Sequence, residues 1–360
     1  MSDKTANKGE WSELLAFAII ARDASVPMSD ADLRPIEGKE LLVEKILRSE
    51  ADYSVSDEET VYWVATDGTT RSVEKVGFAE LVANFAGELV AARGPAFESP
   101  IGNRLLDVFE LSSVKASSGR KEDIDLALRD PKTNLETEAG FSIKSYLGNP
   151  STLLNASKQN TNFRFRVDDF AGNLAEVNAI EGSSKVRDRI EAISQAGGSF
   201  SFDAAKGEIF SRNLLKIDSL MPAILGCLTL ANFMVVKRGK KITDVIASDE
   251  LVELLADLPV PLDGELISYK VKALLLDIAL GMVPKKPWDG RQKADGGYIV
   301  VKDTGALVCF HVYNFGAFSD YLLGSTMFDT PSTNRHEFGF LYEEGGQLYF
   351  DVNCQIRFVR

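Results

Sequence analysis

The run LLAFAIIA, Leu14 to Ala21, constrains this chain more than any other stretch. It forms the second half of a helical segment from Gly9 to Arg22, and a helix apolar nearly all round has no face to give to water. It must be buried, with other elements packed over it. It is also far shorter than the roughly 20 residues that span a bilayer, and no later run reaches that length. The opening residues, MSDKTANKGEW, lack the apolar segment of a secretory signal. A chain of 360 residues, 45% apolar and 26% charged, has the material for a large core in one or two domains.

Around that helix the pattern is mixed. Residues 39–65 alternate in strand fashion ("KELLVEKIL", "TVYWVA") and reach a turn at Asp67-Gly68. "VGFAELVANFAGELVAAR" returns to helical spacing. "EDIDLAL" is a strand by alternation, followed by the turn-rich "RDPKTN" and a second strand containing "GFSIKS". Residues 185–280 read as mostly helical, with "LMPAILGCLTLANFMVV" and "VKALLLDIALGMV" as buried elements. From 296 the chain is β-rich: "GGYIVV", "ALVCFHVY", "GFLYEEGGQLYFDV" and "CQIRFV". The class is α/β, divided as residues 1–170, a helical region 171–295 and a β-rich C-terminal region 296–360.

The formal net charge of −13 argues against a polyanionic partner only on average, because charge acts within about 8–10 Å at physiological salt. Basic residues gather at Lys115–Lys121, Arg164 with Arg166, Lys237–Lys241, and Lys285 with Lys286, so a basic cleft in an acidic body is open. Cys227, Cys309 and Cys354 are few, odd in number and far apart. They suggest neither a disulfide framework nor a zinc site, and fit a reducing cytoplasm.

The two strands in "EDIDLAL" and "GFSIKS" carry the chemistry. Side chains two apart share a face, so Ser142 and Lys144 point together while Phe141 and Ile143 point into packing. Asp123 and Asp125 likewise share one face, with Ile124, Leu126 and Leu128 on the other. Paired, the strands bring a carboxylate pair beside an ammonium, which suits phosphodiester hydrolysis: carboxylates hold Mg²⁺ and a lysine orients water or offsets phosphate charge. The same residues also suit a plain solvated strand and turn.

Asp123 followed nineteen residues later by Ser142-Ile143-Lys144 resembles a variant of the PD-(D/E)xK nuclease signature, with serine where the second acid usually stands. More specifically, "NKGEWSELLAF", "GFSIKSYLGNPSTLLNASKQNTNFRF", "ADGGYIVV" with "CFHVYNFGAFSDYLL", and "TPSTNRHEFGFLYEEGGQLYFDVNCQIRF" resemble, in order, the HpaII-type restriction endonuclease family across nearly the whole chain. The resemblance implies a restriction-endonuclease-like core, a mixed sheet flanked by helices. It implies Mg²⁺-dependent cleavage of both strands of duplex DNA at the palindrome CCGG, and a cognate methyltransferase that protects host DNA. A palindromic target makes a homodimer plausible. Metal contacts are expected at Asp123, Glu13 and Ile143, with Lys144 aligning the water and Ser142 tuning the metal's water shell.

Which residue replaces the missing acid is open. Glu138 has the right parity but lies roughly 20 Å along the strand, too far; Asp125 is about 7 Å from Asp123. Glu13, immediately before the buried run, is the stronger donor, although a first-turn carboxylate complementing the helix dipole would look the same. Glu10 has the weaker claim. Arg120 and Lys121 could touch the phosphate backbone or simply fill a solvated turn.

Ser151, Thr152, Asn155, Ser157, Gln159 and Asn160 can donate to phosphates and base edges. A helix capped at Ser151 is the bland alternative. Arg335 and His336 in "PSTNRHEFG", and Gln355 with Arg357, are further candidates, arginine being suited to guanine O6 and N7. His311, on an apolar strand, reads as packed. Two other functions stay in view: a repair or junction nuclease on the same fold, and a DNA-binding module with a decayed active site.

Overall fold

The computed structural model describes residues 4–114, 122–130, 133–235 and 240–359. The chain forms two compact units, each assembled from separated stretches: residues 1–151 with 292–321, and 152–291 with 322–360.

The first unit is built on a nine-stranded mixed sheet. From one edge its strands are Ser25–Ser29, Leu307–His311, Gly297–Val301, Glu136–Ser145, Ile124–Arg129, Pro35–Leu47, Asp52–Ser54, Thr60–Val64 and Thr70–Glu74. Ser25–Ser29 also pairs with Pro35–Leu47, so the order partly closes on itself. Two pairings are parallel, Gly297–Val301 with Glu136–Ser145 and Leu307–His311 with Ser25–Ser29. Every residue of Gly297–Val301 is buried, as its central position with both faces covered requires.

The first helix, Lys8–Asp23, is buried from Leu14 through Ala21, as its apolar circumference requires. It shares one hydrophobic cluster with Ile46, Ile124, Leu126, Phe141, Ile143 and Ile299 from the sheet. Helices Lys75–Ala91 and Pro100–Val108 join the same cluster through Phe78, Phe85 and Leu105. Trp11 meets Phe85 edge to face at 5.9 Å, and its indole N–H donates to the Phe97 carbonyl at 3.1 Å, so the buried ring keeps its polar atom satisfied.

The second unit holds a four-stranded antiparallel sheet (Ser199–Ala205, Asn162–Asp168, Gln347–Asn353, Leu341–Glu344) and a three-stranded one (Thr152–Leu154, Ile356–Phe358, Thr326–Phe328). Helix Met221–Met234 is buried almost all round, and Gly264–Ala279 buries one face. The helical reading of 185–280 needs one correction: Ser199–Ala205 is a strand, paired with Asn162–Asp168. No helix begins at Ser151 either. Thr152–Leu154 is extended because Thr152 and Leu154 pair with Arg357 and Ile356.

All three cysteines are free and buried, and burial pushes each thiol up to about 12. No single helix among the described residues is long and apolar enough to cross a membrane.

Candidate active site

The strands Ile124–Arg129 and Glu136–Ser145 pair antiparallel, Ile124 opposite Phe141 and Asp125 opposite Gly140. Their apolar face lies in the cluster around the first helix, which leaves Asp125, Gly140, Ser142 and Lys144 on the other face. Asp123 stands one residue before its strand and is fixed there twice. Its N–H donates to the Phe141 carbonyl at 3.0 Å. Its Oδ2 accepts from the Ile143 N–H at 2.7 Å and from the Ser142 hydroxyl at 3.1 Å. A carboxylate bonded at such a distance to backbone is oriented rather than free to rotate. The expected strand pair therefore forms, and Asp123, Ser142 and Ile143 come together.

Lys144 is half-buried on the Ser142 face, and among the described residues its ammonium forms no hydrogen bond or ion pair. Val300 and Tyr298 of the neighbouring parallel strand lie beside Lys144 and Ser142. Tyr298 is fully buried, 4.9 Å from Phe318 by ring centroids. Burial, then the neighbouring Tyr146 and Asp123, hold its phenol well above the usual range, so it stays neutral. Tyr146 and Tyr321 share a 2.8 Å hydroxyl contact on this aromatic wall. None of these tyrosines stood out in the sequence; the β-rich run "GGYIVV" was the available signal, but it needed the strand's partner to become informative.

Asp125 belongs to an adjoining acidic cleft of about 230 Å³, lined also by Glu122, Glu138, Lys293 and Asp295. Asp295 accepts from the Gly140 N–H at 3.0 Å, which ties this cleft to the lysine strand. A side chain at Gly140 would strike Glu122 Cγ at 2.3 Å and approach Asp125 Oδ1 at 3.1 Å, so glycine keeps the carboxylates close to the backbone there.

On the first helix, Asn7 and Glu10 form a reciprocal capping box, with bonds of 3.0 and 2.9 Å. Glu10 is thus the first-turn carboxylate, and Glu13 lies one turn further in, half-buried. Its neighbour Ser12 meets Ser145 hydroxyl to hydroxyl at 2.8 Å, so this part of the helix abuts the end of the lysine strand.

Among the described residues no three His, Cys, Asp or Glu side chains converge to hold a metal unaided. Mg²⁺ commonly takes one or two carboxylates and fills the rest of its shell with water and substrate phosphate. Asp123 fits: Oδ2 is held by protein, while Oδ1 accepts no hydrogen bond among the described residues.

The second unit carries most of the DNA-reading candidates. Asn155 and Gln159 are exposed on one loop, Arg335 is exposed and His336 half-buried at the end of the short helix Thr333–His336, and Gln355 precedes strand Ile356–Phe358. Thr152 is taken into its strand. Ser151, half-buried, closes the first unit. Ser157 and Asn160 bond within their own loop, the Asn160 amide donating to Ser157 Oγ at 2.9 Å. Burial first, then Arg335 and Lys285, pushes the His336 pKa down. His311 is buried with its ring 6.3 Å from Phe141, as its strand suggested.

The basic clusters divide. Lys115–Lys121, including Arg120 and Lys121, lies outside the described residues, as do Lys237 and Arg238. Arg164 is paired with Asp203 and Glu344, and Arg166 with Asp168, so neither presents uncompensated charge. Lys240 is buried and donates to the Val235 carbonyl at 2.6 Å, with burial lowering its pKa to about 8.

Comparison with known proteins gives the class first: this chain is a type II restriction endonuclease, a site-specific deoxyribonuclease. The model of the HpaII restriction endonuclease family matches residues 7–358, and the chain belongs to that family. It is 34% identical to the Type II restriction enzyme HpaII of Haemophilus parainfluenzae over 99% of this chain and 99% of that protein. No solved structure matches it.

Proposed function

We propose that this enzyme cuts both strands of duplex DNA at CCGG in the cytoplasm with Mg²⁺, acting as a homodimer beside a methyltransferase that protects the same sequence. The core is a PD-(D/E)xK fold in this reading, with Asp123, Ser142 and Lys144 as its motif. What supports it most is the Asp123 carboxylate, set on the Ile143 N–H at 2.7 Å, on the sheet face that also carries Lys144.

In this mechanism Asp123 would hold the cation, with Glu13 or Asp125 as the second acid and the Ile143 backbone as a further ligand. The ion, when bound, lowers the pKa of water and screens charge at the phosphate. Lys144, unpaired among the described residues, orients the attacking water and offsets negative charge on the phosphate. Ser142 donates to Asp123 and limits how that carboxylate can turn. Arg335, His336, Asn155, Gln159 and Gln355 read or grip DNA, with Ser151 and Thr152 near the backbone. A two-fold dimer would match a palindromic target with two equivalent sites.

The test is digestion of a plasmid of known sequence, with and without Mg²⁺. Discrete fragments whose ends all map to CCGG are expected. Discrete fragments ending at another sequence would overturn the CCGG specificity, and cutting without any divalent ion would overturn the metal assignment.

A further inference from the structure

The loop at 155–160 and the turn at 332–337 are far apart in sequence, yet they are joined by a buried amide network. Asn162, 2% exposed, donates from Nδ2 to the carbonyls of His336 at 3.2 Å and Glu337 at 3.3 Å. Its Oδ1 accepts from Asn353, which is 1% exposed and also donates to the Ser157 carbonyl at 3.3 Å. Thr161, fully buried, donates to Asn353 Oδ1 at 3.2 Å and accepts from the Ser157 N–H at 2.9 Å. The Cys354 N–H, immediately before Gln355, donates to the Thr161 carbonyl at 2.9 Å. At the surface Lys158 pairs with Glu337 at 2.5 Å across the two segments.

Both segments also contain a non-glycine residue in the left-handed region, Gln159 at φ 64° and Glu337 at φ 51°. Such conformations persist when their surroundings over-determine them, and they gather at binding sites. The end of an inner strand pair that only needed filling could use apolar side chains, which need no partners. Here the buried amides are directed instead at the two backbone carbonyls that follow Arg335, those of His336 and Glu337, and at the loop carrying Asn155 and Gln159.

We propose that Asn162 and Asn353 are positioning residues for sequence discrimination, holding 155–160 and 332–337 as one preformed reading surface. This rests on the DNA-reading role given above to Asn155, Gln159, Arg335 and His336. The amides touch no DNA themselves. They fix where the Arg335 guanidinium and the Gln159 amide start from, and so how closely a wrong base pair is penalised.

The experiment compares the wild type with Asn162→Leu, which keeps the volume and removes the donors. Cleavage of the preferred duplex and of each single-base variant is followed in one competition, with thermal denaturation alongside. The ratio of preferred to variant cleavage is expected to fall about tenfold, the scale of a single side-chain fork on a base edge. A purely structural role would lower both rates together, and an unchanged ratio overturns the proposal. Arg335→Ala and Gln159→Ala run in parallel. If they lower the ratio while Asn162→Leu does not, the positioning role fails alone; if none of the three lowers it, the DNA-reading assignment falls too.

Should Asn162→Leu not fold, hydrogen exchange of the wild type decides. With Ca²⁺ replacing Mg²⁺ to prevent cutting, the His336 and Phe338 amides, bonded to Ser332 and Thr333 carbonyls, are expected to be protected already without DNA. A change under about twofold on adding duplex fits a preformed surface, whereas a gain above roughly tenfold means ordering on binding and overturns it.

Discussion

Lys144→Ala separates the proposed chemistry from stability. Lys144 is half-buried, and its ammonium has no ion pair among the described residues, so its removal leaves no stranded partner. Stability should move by no more than about 0.5 kcal/mol, the scale of a surface change. The catalytic loss is larger. A unit charge about 6 Å from the phosphate, at an effective dielectric near 20, contributes about 2.8 kcal/mol. At about 1.36 kcal/mol per tenfold in rate, that is roughly a 100-fold loss of cleavage.

The assay is single-turnover cleavage of a labelled duplex at saturating enzyme and Mg²⁺, beside gel-shift binding in Ca²⁺ and denaturant unfolding. The variant is expected to bind duplex and unfold like the wild type while cutting about 100-fold more slowly. Lys144→Arg keeps charge but replaces a compact ammonium with a planar fork, so it should recover only part of the rate. Equal cutting by Lys144→Ala and wild type would refute the assignment. An unfolding midpoint that drops together with activity would refute the reasoning in another way, by showing that Lys144 holds the sheet together.

Arg335→Ala is expected to reduce discrimination at guanine positions by about 1–3 kcal/mol in a binding competition, and an unchanged preference counts against its base contact. Gly102→Ala should destabilise. Its methyl would meet Trp11 Cζ3 at 2.6 Å and Phe85 Cε2 at 2.9 Å, both in the core, and overpacking of about 1–3 kcal/mol exceeds the roughly 1 kcal/mol helix gain of alanine. A raised midpoint in chemical denaturation would reverse that ordering. Burial alone would raise the Glu50 carboxyl, but the Ser112 hydrogen bond and the Arg48 charge hold it at about 2, below its ordinary 4.5. A carboxylate depressed on folding adds stability above its unfolded pKa that is lost as pH falls toward the folded one, so Glu50→Gln should flatten the acid limb of the stability profile between about pH 4.5 and 2. A profile identical to wild type would remove Glu50 from that role.

The parts of this enzyme legible in its sequence are those set by local period. Leu14–Ala21 could only be buried, and the alternation through Ile124 and Ile143 placed Asp123 and Lys144 on strands with a shared polar face. What the sequence withheld depends on partners far along the chain. Tyr298 becomes a neighbour of Ser142 only because Gly297–Val301 inserts parallel to the lysine strand, and a run buried on both faces carries no mark of which strand it will join. Ser151 has the look of a helix cap, yet the residues after it are extended, Thr152 pairing with Arg357 and Leu154 with Ile356. Nothing in the local pattern singles out Asn162 and Asn353, whose carbonyl partners lie on distant segments.

Ser142 shows the difference most directly. Read as a motif, it is a gap where an acid belongs. In the structure its hydroxyl donates to Asp123 at 3.1 Å, on the same oxygen that the Ile143 N–H holds. A carboxylate at 142 would instead set a second negative charge against that oxygen and remove the hydroxyl donor. Serine helps to orient Asp123. In the mechanism proposed above, a chain with serine here takes its second acid from another element, which is the role given there to Asp125 or Glu13, and Asp125 already lines an acidic cleft with Glu122.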